Sequence, residues 1–186
     1  LLRSPEEQRL LAALPPYRGT EALALAELLR REGNDRHLVA VVLSQARLRA
    51  AAEERLTPWA GLLLLTDDGA QQATRPAVAR HRAARFAAAG VRSVVDLGCG
   101  VGVDALALAE SGLAVRAVER DPATAERARA NAEALGLADR LIVTTGEAVD
   151  ADLADVDAVF ADPARRVAGR RVREPERWSP PLSWVL

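Results

Sequence analysis

The chain contains no lysine, no methionine, one cysteine and no long apolar run, and these absences limit what it can be. All 25 basic residues are arginine, which together with abundant alanine indicates a GC-rich genome and weakens arginine counts as evidence of function. A single cysteine excludes an internal disulfide framework and an all-cysteine metal site. No apolar stretch approaches the roughly 20 residues of a membrane span, and no signal-peptide pattern opens the chain. We therefore expect a cytoplasmic protein with no membrane or metal partner.

With 186 residues, the chain has room for one ordinary domain, or for a small domain attached to part of a larger one. Its formal net charge is −1, so any attraction for nucleic acid must come from a local patch. Because the chain starts with Leu1 and lacks methionine, we expect it to be a fragment at its front edge.

Residues 1–66 predict an all-α N-terminal domain. Ser4-Pro5-Glu6-Glu7 is a capping box, and further helices are predicted over 21–32, before Gly33, and from Asp35 onward. The Thr-Asp-Asp-Gly sequence at 66–69 predicts a turn. No chemistry is visible in this region, and its apolar stripes are most simply packing surfaces.

Residues 67–186 predict an α/β domain. Short β-branched runs at 91–97, 114–118, 141–144 and 156–161 read as buried strands, and helices are predicted over 77–88, up to 111, and over 123–135. This alternation with short loops is typical of a βαβαβ unit with a parallel sheet.

The first strand leads into Asp96-Leu97-Gly98-Cys99-Gly100-Val101-Gly102, an acidic residue followed by three alternating glycines before a helix. Glycines let the backbone turn sharply and approach a ligand, and the helix N-terminus supplies N–H donors. The segment also satisfies a loose dinucleotide fingerprint, so a nicotinamide or flavin enzyme competes. A carboxylate at Asp96 would repel a pyrophosphate, whereas it attracts the ammonium and sulfonium of S-adenosylmethionine. Charge therefore favours S-adenosylmethionine.

Four carboxylates follow four successive predicted strands: Asp96, Glu119, Glu147 and Asp162. In an open α/β sheet, ligands bind along the carboxyl edge of the strands. Glu119 suits both ribose hydroxyls, Glu147 the adenine amine, and Asp162 the mouth of the sheet.

As a set, these motifs resemble the class I S-adenosylmethionine-dependent methyltransferases, over roughly residues 70–166. The resemblance implies their Rossmann-like sheet, with the first four strands present and the C-terminal end incomplete. More narrowly, Gln72-Ala73-Thr74-Arg75, the segment 81–86 and Asp162-Pro163-Ala164-Arg165-Arg166 are similar to a mainly actinobacterial group with a helical N-terminal domain and a THUMP-like C-terminal domain. That THUMP-like region implies an RNA substrate. The predicted cofactor-binding residues are Asp96, Gly98, Cys99, Gly100, Gly102, Glu119, Arg120, Glu147 and Ala148.

Asp162, before Pro163, is the predicted catalytic residue, because amino-methylating relatives keep an acidic or amide side chain there. Related enzymes that methylate C5 of RNA uracil also have an Asp-Pro-x-Arg segment but need a downstream cysteine nucleophile. The only cysteine, Cys99, lies in the glycine loop, so methylation at nitrogen is favoured.

Residues 165–177 carry six arginines against two glutamates, a local net charge of +4 that suits phosphate contacts. The candidates for RNA contact are Arg165, Arg166, Arg170 and Arg171, with Arg75, Arg80, Arg82 and Arg85 as a weaker second group. The favoured function is methylation of a base nitrogen in tRNA or rRNA. The alternatives are a protein or small-molecule methyltransferase, and a non-catalytic module that binds S-adenosylmethionine or another nucleotide.

Overall fold

A computed structural model describes residues 5–163, 166–167 and 170–185 of the chain. The chain divides into two compact units, Leu1–Gln72 and Ala73–Leu186.

The first unit is helical. Its long helix α3 is capped by Asp35, whose carboxylate accepts from the backbone N–H groups of His37 (2.7 Å) and Leu38 (3.0 Å). Apolar side chains such as Val42, Leu56 and Leu63 are fully buried in its core. The helices are α1 (Pro5–Ala13), α2 (Ala22–Arg31), α3 (Arg36–Leu56) and α4 (Asp67–Gln72), with a 3₁₀ turn over Gly19–Glu21.

The predicted turn at 66–69 is wrong, because α4 begins at Asp67. The Thr66 hydroxyl accepts the N–H of Gly69 at 2.9 Å, and the Thr66 carbonyl accepts the N–H of Ala70 at 2.9 Å. Threonine here caps a helix, and the acidic pair that follows lies in the first helical turn, where negative charge is favourable.

The second unit is a parallel α/β sheet in the order β3-β2-β1-β4. This arrangement confirms the predicted Rossmann-like parallel sheet with flanking helices. Its elements are α5 (Pro76–Ala88), β1 (Ser93–Leu97), α6 (Val103–Glu110), β2 (Ala114–Glu119), α7 (Pro122–Ala134), β3 (Leu141–Thr145), β4 (Ala158–Ala161), β5 (Arg166–Val167), β6 (Arg170–Arg171) and α8 (Leu182–Val185). Short 3₁₀ turns cover Ala148–Asp150 and Pro175–Arg177.

The strand order brings the ends of β1, β2 and β4 side by side at one edge of the sheet. Asp96 lies between Ala117 of β2 and Phe160 of β4, and these aligned residues share one face of the sheet. Helices α6 and α7 pack on the strands, and α5 packs on α6. The residue that ends β1, Leu97, aligns with Ala161, so the segment after β4 emerges beside the glycine loop.

Strand β4 starts at Ala158, two residues later than predicted. Asp157 explains the difference, because its carboxylate accepts the N–H groups of Arg92 (2.8 Å) and Ser93 (3.0 Å) at the start of β1. These hydrogen bonds hold Asp157 outside the pairing of β4 with β1. Between β3 and β4 the chain makes a 3₁₀ turn in place of an α-helix.

Within the described residues, no helix is long and apolar enough to cross a membrane. The same part of the chain contains no group of three or more histidine, cysteine, aspartate or glutamate side chains that could hold a metal ion.

Candidate functional site

The glycine loop between β1 and α6 has left-handed backbone at each glycine. Gly98, Gly100 and Gly102 have φ values of +80°, +57° and +92°. A Cβ on Gly98 or Gly100 would meet no atom within 4 Å, whereas one on Gly102 would lie 3.4 Å from the Cβ of Ala128. Glycine at 102 therefore suits the left-handed backbone, since a Cβ there would make only ordinary contact with Ala128, and the other two glycines face open space.

Neighbouring elements hold the loop in place. The backbone N–H groups of Gly98 (2.9 Å) and Cys99 (3.0 Å) both donate to the carbonyl of Val118 in β2. The fully buried Asn131 of α7 donates from Nδ2 to the carbonyl of Val101 at 2.9 Å. The sequence analysis missed Asn131, because its role depends on a contact between residues 30 positions apart.

Glu119, at the end of β2, supports the loop directly. Its Oε2 accepts the N–H of Gly100 at 2.9 Å, and its Oε1 accepts the N–H of Asp121 at 2.9 Å. Each carboxylate oxygen can accept more than one hydrogen bond, so the side chain retains acceptor capacity for a ligand. The predicted ribose-binding residue thus lies beside the glycine loop and also shapes it.

Asp96 is a buried carboxylate at the same edge. Only 2% of it is exposed, and its Oδ2 has no hydrogen-bond partner among the described residues. Burial is the largest cause that raises the pKa of Asp96 well above its usual value. The neighbouring carboxylates of Asp104, Asp162 and Glu119 raise this pKa further, and a hydrogen bond from the backbone of Ala105 opposes them.

The remaining predicted cofactor residues lie around this edge. Cys99 is partly buried, and burial raises the pKa of its thiol well above the usual value. Glu147 is exposed just after β3, and Ala148 packs on the cluster of Val95, Leu97 and Val118. The other member, Arg120, is exposed, and its NH1 donates to the Ser179 hydroxyl at 3.4 Å.

Asp162 is exposed directly after β4. Its charge raises the pKa of the buried Asp96, so the predicted catalytic carboxylate lies near Asp96 at the same edge of the sheet. Of the predicted RNA contacts, Arg165 lies outside the described residues. Arg166 and the pair Arg170–Arg171 belong to the antiparallel strands β5 and β6, whose side chains are likewise outside the description.

Arg80 and Arg82 of α5, which belong to the weaker group of candidates for RNA contact, make ion pairs within the protein. Arg80 donates from Nε (2.6 Å) and NH2 (2.9 Å) to the carboxylate of Glu110. Arg82 donates from NH1 to Asp104 at 2.9 Å, and its guanidinium lies 5.5 Å from the ring centroid of Phe160. Because each arginine has a carboxylate partner within the protein, these contacts weaken the hypothesis that α5 binds nucleic acid.

The site has the features that S-adenosylmethionine requires. Asp96 Oδ2, which has no hydrogen-bond partner among the described residues, can accept a hydrogen bond from the ammonium of the methionine moiety. The open space beside Gly98 and Gly100 lets the ligand come close to the backbone of the loop. Residue Glu119 can accept from the ribose hydroxyls, and Glu147 can accept from the adenine amine. The buried carboxylate of Asp96 beside the loop would repel the pyrophosphate of a dinucleotide, which separates this arrangement from a dinucleotide site.

Comparison with known proteins agrees with this geometry. Residues 94–170 match a family model described as a methyltransferase domain, and residues 1–52 match one described as a domain of unknown function. Two uncharacterised S-adenosylmethionine-dependent methyltransferases of Mycobacterium tuberculosis, from strains CDC 1551 and H37Rv, are each 41% identical over 154 residues. Each alignment covers 77% of this chain, and the chain spans 39% of the length of these curated relatives.

A solved structure shares the fold. The crystal structure of a candidate methyltransferase from Porphyromonas gingivalis W83 aligns with a TM-score of 0.56 at 24% identity. The alignment covers 82% of this chain and 43% of that one.

Proposed function

Because the chain carries a class I, S-adenosylmethionine-dependent methyltransferase domain, we propose that the protein methylates a base nitrogen in RNA, in tRNA or rRNA. The placement of Asp162 carries the proposal of catalysis. This residue follows β4, whose last residue, Ala161, aligns with Leu97 immediately before the glycine loop. An exposed carboxylate there is available to a substrate that approaches the cofactor's methionine end.

The bound cofactor supplies a methyl group on a positively charged sulfur. For its part, Asp162 can accept a hydrogen bond from the N–H of the substrate and hold the proton that nitrogen loses, so that the lone pair points at the methyl group. Pro163 restricts the backbone at this turn, which limits movement of the carboxylate. When the cofactor is bound, Asp96 and Glu119 would position it from the carboxyl ends of β1 and β2 at the same edge.

Two observations support RNA as the substrate. The antiparallel pair of β5 and β6 has arginine at three of its four positions, and Arg173 and Arg177 are exposed just after it. Such a run of arginines, which follows Asp162 in the sequence, suits contacts with phosphates. The resemblance to the actinobacterial group with a THUMP-like domain also implies RNA.

The test is transfer of labelled methyl from S-adenosylmethionine by the full-length protein into three separate pools: unmodified tRNA, unmodified rRNA and a protein extract with its small molecules. Asp162→Ala should retain binding of S-adenosylhomocysteine and lose transfer. Asp139→Ala, an exposed acid in the turn before β3, is the matched control and should retain both.

Label in one RNA class supports the proposal and directs the next step to the modified nucleotide. Label in protein or in the small-molecule fraction would replace RNA by the alternative substrate classes. Cofactor binding without transfer to any pool would indicate a non-catalytic binding module. If Asp162→Ala loses binding and transfer equally, the residue is a cofactor contact.

A further inference from the structure

The guanidinium of Arg82 makes hydrogen bonds to the described residues through only one of its three nitrogens. Its NH1 donates to Asp104 Oδ1 at 2.9 Å and to the Thr74 hydroxyl at 3.3 Å. Among the residues that the structure describes, Nε and NH2 of Arg82 have no hydrogen-bond partner. These two groups form the parallel donor edge that binds a carboxylate in a bidentate manner.

Arg80, on the same helix, shows what that edge does when a protein carboxylate occupies it. Its Nε and NH2 donate to the two oxygens of Glu110 at 2.6 and 2.9 Å. The corresponding edge of Arg82 has no such residue opposite it in the described part of the chain. The difference between the two arginines leaves this donor edge of Arg82 available to a ligand.

The surroundings of Arg82 connect it to the cofactor edge. Asp104 lies in the first turn of α6, immediately after the glycine loop, and its charge raises the pKa of Asp96. Phe160, under the guanidinium at 5.5 Å, aligns with Asp96 in the sheet and precedes Asp162 by two residues. Asp104, the ion-pair partner of Arg82, is therefore near Asp96, the residue that carries the buried carboxylate.

A free α-amino acid group needs an anion for its ammonium and a cation for its carboxylate. We propose that Arg82 binds the α-carboxylate of the cofactor's methionine moiety through Nε and NH2, while Asp96 accepts its ammonium. Asp104 and the ring of Phe160 hold the guanidinium in this orientation. This inference rests on the cofactor of the proposed function and is independent of the methylated substrate.

The experiment compares two ligands by calorimetry: S-adenosylhomocysteine and its decarboxylated analogue, which keeps the amine and lacks the carboxylate. Arg82→Gln should weaken binding of S-adenosylhomocysteine by about 10- to 100-fold, the effect of losing a charge-assisted pair. Binding of the decarboxylated analogue should change by less than about 3-fold, because no carboxylate is present to lose its partner.

Two further variants make the result specific. Arg80→Gln, on the same helix, should leave both affinities at the wild-type value. Arg82→Lys keeps a positive charge beside Asp104 but lacks two parallel donors, so it should still lower the preference for the carboxylate-bearing ligand.

If Arg82→Gln weakens the binding of both ligands equally, the proposal is overturned, because Arg82 would then only support the structure around Asp104. Unchanged affinity for S-adenosylhomocysteine would place the carboxylate elsewhere. If the wild-type protein binds neither ligand, the cofactor assignment itself fails, which is a different outcome from either of these.

Discussion

Asp96 offers a sharp test of the site, because its buried Oδ2 has no hydrogen-bond partner within the described part of the chain. The change to make is Asp96→Asn, which keeps the size of the side chain and removes its charge. We expect the variant to bind S-adenosylhomocysteine more weakly, since an ammonium would lose its carboxylate. A hydrogen bond to a charged group contributes about 1.5–3 kcal/mol, which corresponds to a loss of about 10- to 150-fold in Kd.

The same change should alter the pH dependence of stability in the cofactor-free protein. Burial raises the pKa of Asp96 in the folded protein well above its ordinary value, so the folded state holds this proton more tightly than the unfolded state. Stability therefore falls as the pH rises from the unfolded pKa toward the raised folded pKa. One such group changes the free energy of unfolding by up to about 1.4 kcal/mol per pH unit, or roughly 3–6 °C in Tm for a chain of this length.

Thermal unfolding between pH 4 and pH 8, with and without S-adenosylhomocysteine, measures this effect. Wild-type protein without ligand should lose Tm relative to Asp96→Asn as the pH rises, and ligand should reduce that loss by giving the ionised carboxylate a partner. The slope is the informative quantity, because the new amide has its own buried donors to satisfy. Identical slopes in the two proteins would refute the raised pKa, and an unchanged Kd would refute the contact with the ammonium.

Glu119→Ala should weaken S-adenosylhomocysteine binding by about 1–3 kcal/mol in calorimetry, through loss of a charged acceptor and of the loop amide that it holds; unchanged affinity would mean that the ribose lies elsewhere. Gly102→Ala should lower the free energy of unfolding in urea by about 1–2 kcal/mol, because φ is +92° and a residue with a Cβ is strained in this left-handed conformation. Gly19→Ala, with open space and no positive φ, is its control and should cost less. Cys99→Ser should retain methyl transfer. Loss of transfer with normal cofactor binding would instead support the hypothesis that the Cys99 thiol is a nucleophile.

The sequence was sufficient for the order of elements and for the carboxyl edge. A β-branched run followed by Asp96 and three spaced glycines has few alternatives to a strand, a tight loop and a helix, since these local conformations depend on neighbouring residues. Parallel pairing then brings the ends of the strands together, so Glu119 and Asp162 could be assigned to the same edge before any coordinates. By contrast, the turn expected at 66–69 failed because Thr66 serves as a helix cap, a use that the same residue types also permit.

The partners of the charged side chains were decided only by the tertiary structure. Arg80 and Arg82 are the same residue type two positions apart on one helix. The Nε and NH2 donors of Arg80 are bound by Glu110, whereas those of Arg82 have no partner among the described residues. The packing of α5 on α6 makes this distinction, because it sets which carboxylate each guanidinium can reach. Local sequence determined where the backbone would turn and where charge would accumulate. Contacts between distant elements decided which of those charges are neutralised within the protein, because such pairing depends on distances that only the folded chain fixes.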